Sequence, residues 1–152
     1  MEIHLERHDP EHHHFVVVRD PFPRVDVLLE SRSMLLHDLV HYAVEASGRL
    51  DHGFYGLLAA GVDPAVLRGE PGTGGPAAGS GVDADVWARL MEVEGRVVRL
   101  QSAHRRGERA DDPASRLLVA VTGAWAKTRM GDRLVLSWPE PGVRLTDRPC
   151  EP

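Results

Sequence analysis

The chain has one cysteine, Cys150, third from its end. A single thiol makes neither an internal disulfide nor a cysteine-based zinc site, so a reducing, cytoplasmic setting is expected. Long apolar runs are missing as well. No stretch approaches the roughly 20 residues of a membrane helix. The opening MEIHLERHDPEHHH has neither the basic nor the apolar region of a secretion signal, and no membrane partner is expected. Positive charge is also in short supply. Eighteen Lys and Arg face 23 Asp and Glu, a net charge of −5 with neutral histidines. Gripping a phosphate backbone takes a basic surface, so nucleic acid is not an expected partner. The one basic cluster, His104-Arg105-Arg106, reads as the C-terminal end of a helix, where cations oppose the dipole.

An activated nucleophile is missing too. Ser80 in GSG lacks the strand–turn–helix setting of a nucleophile elbow, and Cys150 has no local cause for a lowered pKa. Gly72, Gly74 and Ala77 match the letters of a dinucleotide-binding loop. No strand leads into them, and Pro76 interrupts the pattern.

What remains is a 152-residue chain, 42% hydrophobic and 27% charged, with nine histidines. That length suits one domain with its own core. Period-two alternation and β-branched residues predict three strands: EIHLERH, HHFVVVRD and RVDVLLES, the last two joined through the DPFP turn. The period then changes. Ser31 or Ser33 is the expected cap of a helix over Met34 to Ser47, and Gly48 its left-handed stop. Asp51 is the expected cap of a short helix through GFYGLLAAG.

The glycine-rich segment 69–81 reads as a flexible linker. After it, Val86, Leu90, Val93, Val97, Leu100 and His104 mark the apolar seam of a long helix from about Asp83 to Arg106. Asp112 and Pro113 start a further helix, whose buried face carries Leu117, Leu118, Val121, Ala124, Trp125 and Thr128. These two helices are expected to form a hairpin. RLVLSW reads as a last strand, and PEPGVRLTDRPCEP as a turn and loose tail. The expected architecture is a single α+β domain over residues 1–152. Its small, mostly antiparallel sheet of three N-terminal strands and one C-terminal strand is covered by helices.

The chemistry concentrates in SMLLHDLVHYAVEASGRLDHGF, residues 33–54. His37 and His41 stand at i and i+4 with Asp38 between them, so both imidazoles share one helix face and can hold one ion. The spacing resembles the His-Glu-x-x-His helix of zinc proteases, with Asp38, one methylene shorter, where the glutamate acts as general base. His37-Asp38 also matches the letters of HD-type metal phosphohydrolases. Those need further His and Asp residues in an all-helical domain, which the leading strands contradict.

Zinc or another divalent metal is the expected cofactor, on His37 and His41, with His52 folding back as third ligand. His4, His8 or His14, reaching from the sheet, are alternatives for that place. Asp38 and Glu45 are the candidate catalytic carboxylates. Glu45, four residues after His41, has a second role open to it, that of orienting the imidazole. At ~100° per residue, Leu36, Leu39, Val40, Ala43 and Leu50 form the core face. The histidine stripe lies opposite, in solvent or in a groove built by another element. Two functions follow. One is a small metal-dependent enzyme, a hydrolase of a small-molecule or peptide substrate, with Tyr42 or Tyr55 as a polar contact. The other is a non-catalytic, homodimeric interaction module with a surface histidine stripe.

Overall fold

A computed structural model describes residues 1–69 and 83–146. The expected linker, apart from Gly69, and Cys150 lie outside the described residues. The elements run β1 (Glu2–Arg7), β2 (His12–Val18), β3 (Val25–Glu30), a π-helical turn (Ser31–Leu35), α1 (Leu36–Gly48), α2 (Phe54–Ala59), α3 (Pro64–Leu67), α4 (Ala84–Arg105), α5 (Pro113–Trp125), β4 (Arg133–Ser137) and β5 (Gly142–Thr146). The strands form one antiparallel sheet in the order β3-β2-β1-β4-β5. The fold is α+β, as the change of hydrophobic period implies. β5 departs from the expected loose tail. Val143 and Leu145 alternate with Arg144 and Thr146, a strand pattern obscured by the neighbouring prolines Pro139 and Pro141.

The sheet register builds a one-sided core. Ile3 lies opposite Val17 and Leu136, and Leu5 opposite Phe15 and Leu134. All six are fully buried and join the helices in one cluster. Side chains alternate across a strand, so His4 and His14 point to the other face. There they pair with Glu2 (3.1 Å) and Asp26 (2.9 Å). The helices cover the Ile3–Leu5 face, so neither residue reaches the histidine helix. His8, just past β1, stacks edge-on against His14.

α4 and α5 follow one another in the chain, and each packs chiefly against α1, which is wedged between them. Their starts are as expected. Asp83 accepts from the Val86 N–H at 2.9 Å and Asp112 from the Ser115 N–H at 3.0 Å, each satisfying an orphan amide of the first turn. The seam of α4 is also as expected, with Leu90, Val93 and Val97 buried. α1 differs from its helical wheel. Every residue from Asp38 to Ala46 is buried, so the helix has no solvent face along that run. Its start and stop shift as well. Glu30 accepts from the Ser33 N–H, and Arg49, not Gly48, adopts the left-handed conformation (φ 51°).

Candidate metal centre

α1 turns His37 and His41 toward α4, and α4 returns Glu94 between them. The His41 Nε2 lies 3.0 Å from Glu94 Oε1, and the His37 Nε2 4.0 Å from Glu94 Oε2. One ligand atom from each residue falls within 4.8 Å of the other two. In a tetrahedral zinc site with bonds near 2.0–2.1 Å, ligand atoms sit about 3.3 Å apart, so a modest inward shift closes the set.

The opposite nitrogen of each ring is tied down. The His41 Nδ1 donates to Glu45 Oε1 at 2.9 Å, and the His37 Nδ1 lies 3.4 Å from Gln101 Oε1. A ring that donates from Nδ1 presents the Nε2 lone pair, the tautomer a metal requires. Both presented nitrogens face the same carboxylate.

Glu45 is fully buried and both of its oxygens are engaged. Oε2 accepts from the backbone N–H of Tyr55 (2.9 Å) and Gly56 (3.2 Å), the first turn of α2. The cap expected from Asp51 is thus supplied by a glutamate on another helix, while Asp51 pairs with His52 at 3.1 Å. Gly53 makes the approach feasible, because a methyl group there would collide with the Glu45 carboxylate. Of the two candidate catalytic carboxylates, Glu45 therefore stands behind His41 and holds it.

Asp38 has the other environment. It is 2% exposed, its Oδ2 has no hydrogen-bond partner among the described residues, and it lines the same cavity as His37, His41 and Glu94. That cavity has a volume of about 270 Å³, and Met34, Phe54, Leu67 and Arg68 complete its wall. Burial raises the Asp38 carboxyl to about 6, which makes it a stronger base than an exposed aspartate. Burial alone would push His41 down. The paired carboxylates of Glu45 and Glu94 outweigh it and lift the ring to about 9, so the metal-free site holds an imidazolium clamped between two carboxylates. Burial and the neighbouring His41 charge depress His37, leaving it neutral at pH 7.

Of the residues expected to bind metal, His37 and His41 converge and His52 does not join them. His52 sits after the α1 stop and turns to Asp51. The third member of the cluster is Glu94, which sequence reasoning passed over. A signal existed: Glu94 follows Val93 and precedes Val97 by three, so it flanks the buried seam of α4 and faces the helix beside it. The two tyrosines serve the frame. The Tyr42 hydroxyl donates to the Ser137 carbonyl (3.0 Å) and accepts from the Gly142 N–H (3.1 Å), tying α1 to the β4–β5 turn. The Tyr55 hydroxyl donates to the Asp38 carbonyl (3.1 Å).

Comparison of the chain with protein-family models, curated proteins and solved structures finds no match. Among the described residues, no helix is long and apolar enough to cross a membrane.

Proposed function

We propose that this protein is a small metal-dependent hydrolase in which His37, His41 and Glu94 hold a divalent cation. Zinc suits the donor set best, since two imidazoles and one carboxylate with an open fourth position are a common catalytic arrangement for it. The observation that carries the reading is the pair of anchored rings. Both Nδ1 atoms are occupied, and both Nε2 atoms face one carboxylate beside a cavity. The bound cation would polarise the attacking water and the bond to be cleaved. Asp38, with an unpartnered oxygen in the cavity wall, takes the proton from that water and returns it to the leaving group.

The test is metal analysis of protein purified without an affinity tag or nickel column, followed by uptake at micromolar zinc and neutral pH. Wild type should bind one equivalent. His37→Ala, His41→Ala and Glu94→Ala should each lose it, because two ligands hold zinc poorly. Asp38→Asn should keep the metal and lose hydrolysis of ester and peptide probes. A wild type that takes up no divalent metal sinks the reading.

A homodimeric interaction role is the second reading, and one observation favours it. Met91 and Val98 lie seven residues apart on α4, both more than half exposed. Their helix face would form the seam, with the histidine cluster as a structural ion network inside each subunit. Concentration-dependent sedimentation, abolished by Val98→Asp, is the expected result for it.

A further inference from the structure

Arg68 makes no hydrogen-bonded ion pair among the described residues, although Asp38 is near enough to feel its charge. It follows α3 in the chain and lines the cavity that holds His37, His41 and Glu94. Its Nε and both terminal nitrogens are buried, and none has a hydrogen-bond partner among the described residues. The guanidinium carbon lies 4.7 Å from the centre of the Phe15 ring and 5.4 Å from that of Phe54. Asp38 lines the same cavity, yet its Oδ2 is also without a partner, and no ion pair joins the two residues.

An arginine packed this way has two consequences. Stacking on aromatic rings supports the cation through its face. The N–H donors lie in the guanidinium plane, so stacking leaves them free to point past the rings. A buried cation with five unused donors is costly, because its hydration is lost and nothing replaces it. A planar oxyanion or a phosphate replaces it best, through two parallel N–H···O bonds. The walls fit a small guest: Met34, Leu67 and Phe54 are apolar, and a volume of about 270 Å³ suits a small molecule or the end of a longer one.

We infer that Arg68 is the specificity residue of this cavity and that the substrate presents it with an anionic group, a carboxylate or a phosphate. The inference rests on the metal-hydrolase reading for the word substrate, though not for the anion site itself. The anion docks on Arg68, and the bond to be cleaved lies toward the His37–His41–Glu94 cluster. This arrangement selects acids or phosphate esters over neutral molecules of the same shape. It does so in a protein whose net charge of −5 offers anions no general attraction.

The experiment is calorimetric titration with inorganic phosphate and, separately, with acetate and succinate. Each is run on metal-free and zinc-loaded wild type, Arg68→Met and Arg68→Lys. At least one of the anions should bind wild type at millimolar concentration or below. Arg68→Met should weaken it by roughly tenfold to a hundredfold, as loss of a charge-assisted pair requires. Arg68→Lys should fall between the two, having charge without the fork. Zinc content should be equal in all three proteins. The relative strengths of phosphate and the carboxylates identify which anion the site prefers.

Titration of wild type followed through the Arg68 Nε–H NMR resonance gives the same answer without a substitution, should the variants fail to fold. A shift that saturates supports the site. Absence of binding by every anion, or equal binding by wild type and Arg68→Met, overturns it. If zinc binds but no anion does, the metal reading stands and the anion site falls. If an Arg68-dependent anion binds to protein that takes no metal, the anion site stands and the hydrolase reading falls.

Discussion

Two histidines of this protein are almost fully buried, and they differ in charge: one is neutral and the other positive. His13, on β2, is 0% exposed and His41, on α1, is 2% exposed. Burial, helped by the positive charge of Arg68, drives His13 down to about 4, so it is neutral at pH 7. No carboxylate meets its ring: Ser31 Oγ lies 3.0 Å from Nδ1, Trp125 packs edge-on against it, and Nε2 has no hydrogen-bond partner among the described residues. His41 pays the same desolvation cost, but a carboxylate meets each of its ring nitrogens. Depth alone therefore does not decide the charge of an imidazole; the partners do. A neutral buried histidine packs as a polar aromatic residue. A charged one between two carboxylates holds a proton on Nε2 that a metal, in the function proposed above, would have to displace.

The harshest way to break this contrast is to remove the inner carboxylate. Glu45→Ala leaves His41 with one partner and strips the Tyr55 and Gly56 amides of their acceptor. Breaking a buried charged pair typically costs about 3–5 kcal/mol. Urea denaturation at pH 7 should show a loss in that range, and a loss under 1 kcal/mol would mean that the Glu45 network contributes little to the fold.

pH breaks it next. His41 is raised from 6.5 to about 9 on folding, so its stabilisation is complete below pH 6.5 and is lost as pH rises through 9. At about 1.4 kcal/mol per pH unit this amounts to roughly 3 kcal/mol. Metal-free protein should accordingly weaken between pH 6.5 and 9. Saturating zinc should flatten that limb, because the metal takes the place of the Nε2 proton. Calorimetry at pH 7 in buffers of different ionisation enthalpy should detect release of about one proton per zinc, from His41, since His37 is already neutral. A metal-free stability curve that stays level from pH 6.5 to 9 would show that His41 is not the charged partner described.

His13 has the reverse sign. Its folded value of about 4 lies below the unfolded 6.5, so its contribution is complete above pH 6.5 and is lost as pH falls toward 4. Asp38, raised by burial to about 6, titrates over the same range with the opposite effect. The wild-type curve therefore does not isolate His13, whereas its difference from His13→Leu does. The variant should gain about 2 kcal/mol on wild type between pH 7 and pH 5. A pH-independent difference would mean that His13 titrates in the fold as it does in the unfolded chain.

The same contrast explains which parts of the site the sequence disclosed. Strands, helices and caps such as Asp83 and Asp112 are local matters, set by alternation and by side chains within three residues of the amide they cap. The His37–His41 pair is local too. Its orientation is not. The wheel sets the His37, His41 and Glu45 stripe opposite the core face with Asp38 beside it, and Asp38, His41 and Glu45 do lie away from Leu39, Val40 and Ala43. They are buried nonetheless, because α4 and α2 cover that side, and no window of α1 alone reports what covers it. Glu94 joins the site across 53 residues of sequence. The cap of α2 comes from Glu45 rather than nearby Asp51, since a fully buried carboxylate needs those amides more than an exposed one does. β5 was hidden for a plainer reason, the prolines that precede it.

A third histidine gives the smallest expected effect and the sharpest control. His52 also faces a carboxylate, Asp51, at 3.1 Å, but Asp51 is 96% exposed and His52 29%. Water screens that pair, and such pairs contribute about 0–1 kcal/mol. His52→Ala should change stability by less than about 1 kcal/mol and leave the alkaline limb of the pH curve in place. It should also bind zinc as wild type does, because Glu94 and not His52 stands where His37 and His41 converge. Side-by-side metal titrations of His52→Ala and Glu94→Ala decide this directly. Loss of zinc in the first with retention in the second would make His52 the third ligand, and the chain from Arg49 to Gly53 would then have to fold back over α1 when metal binds.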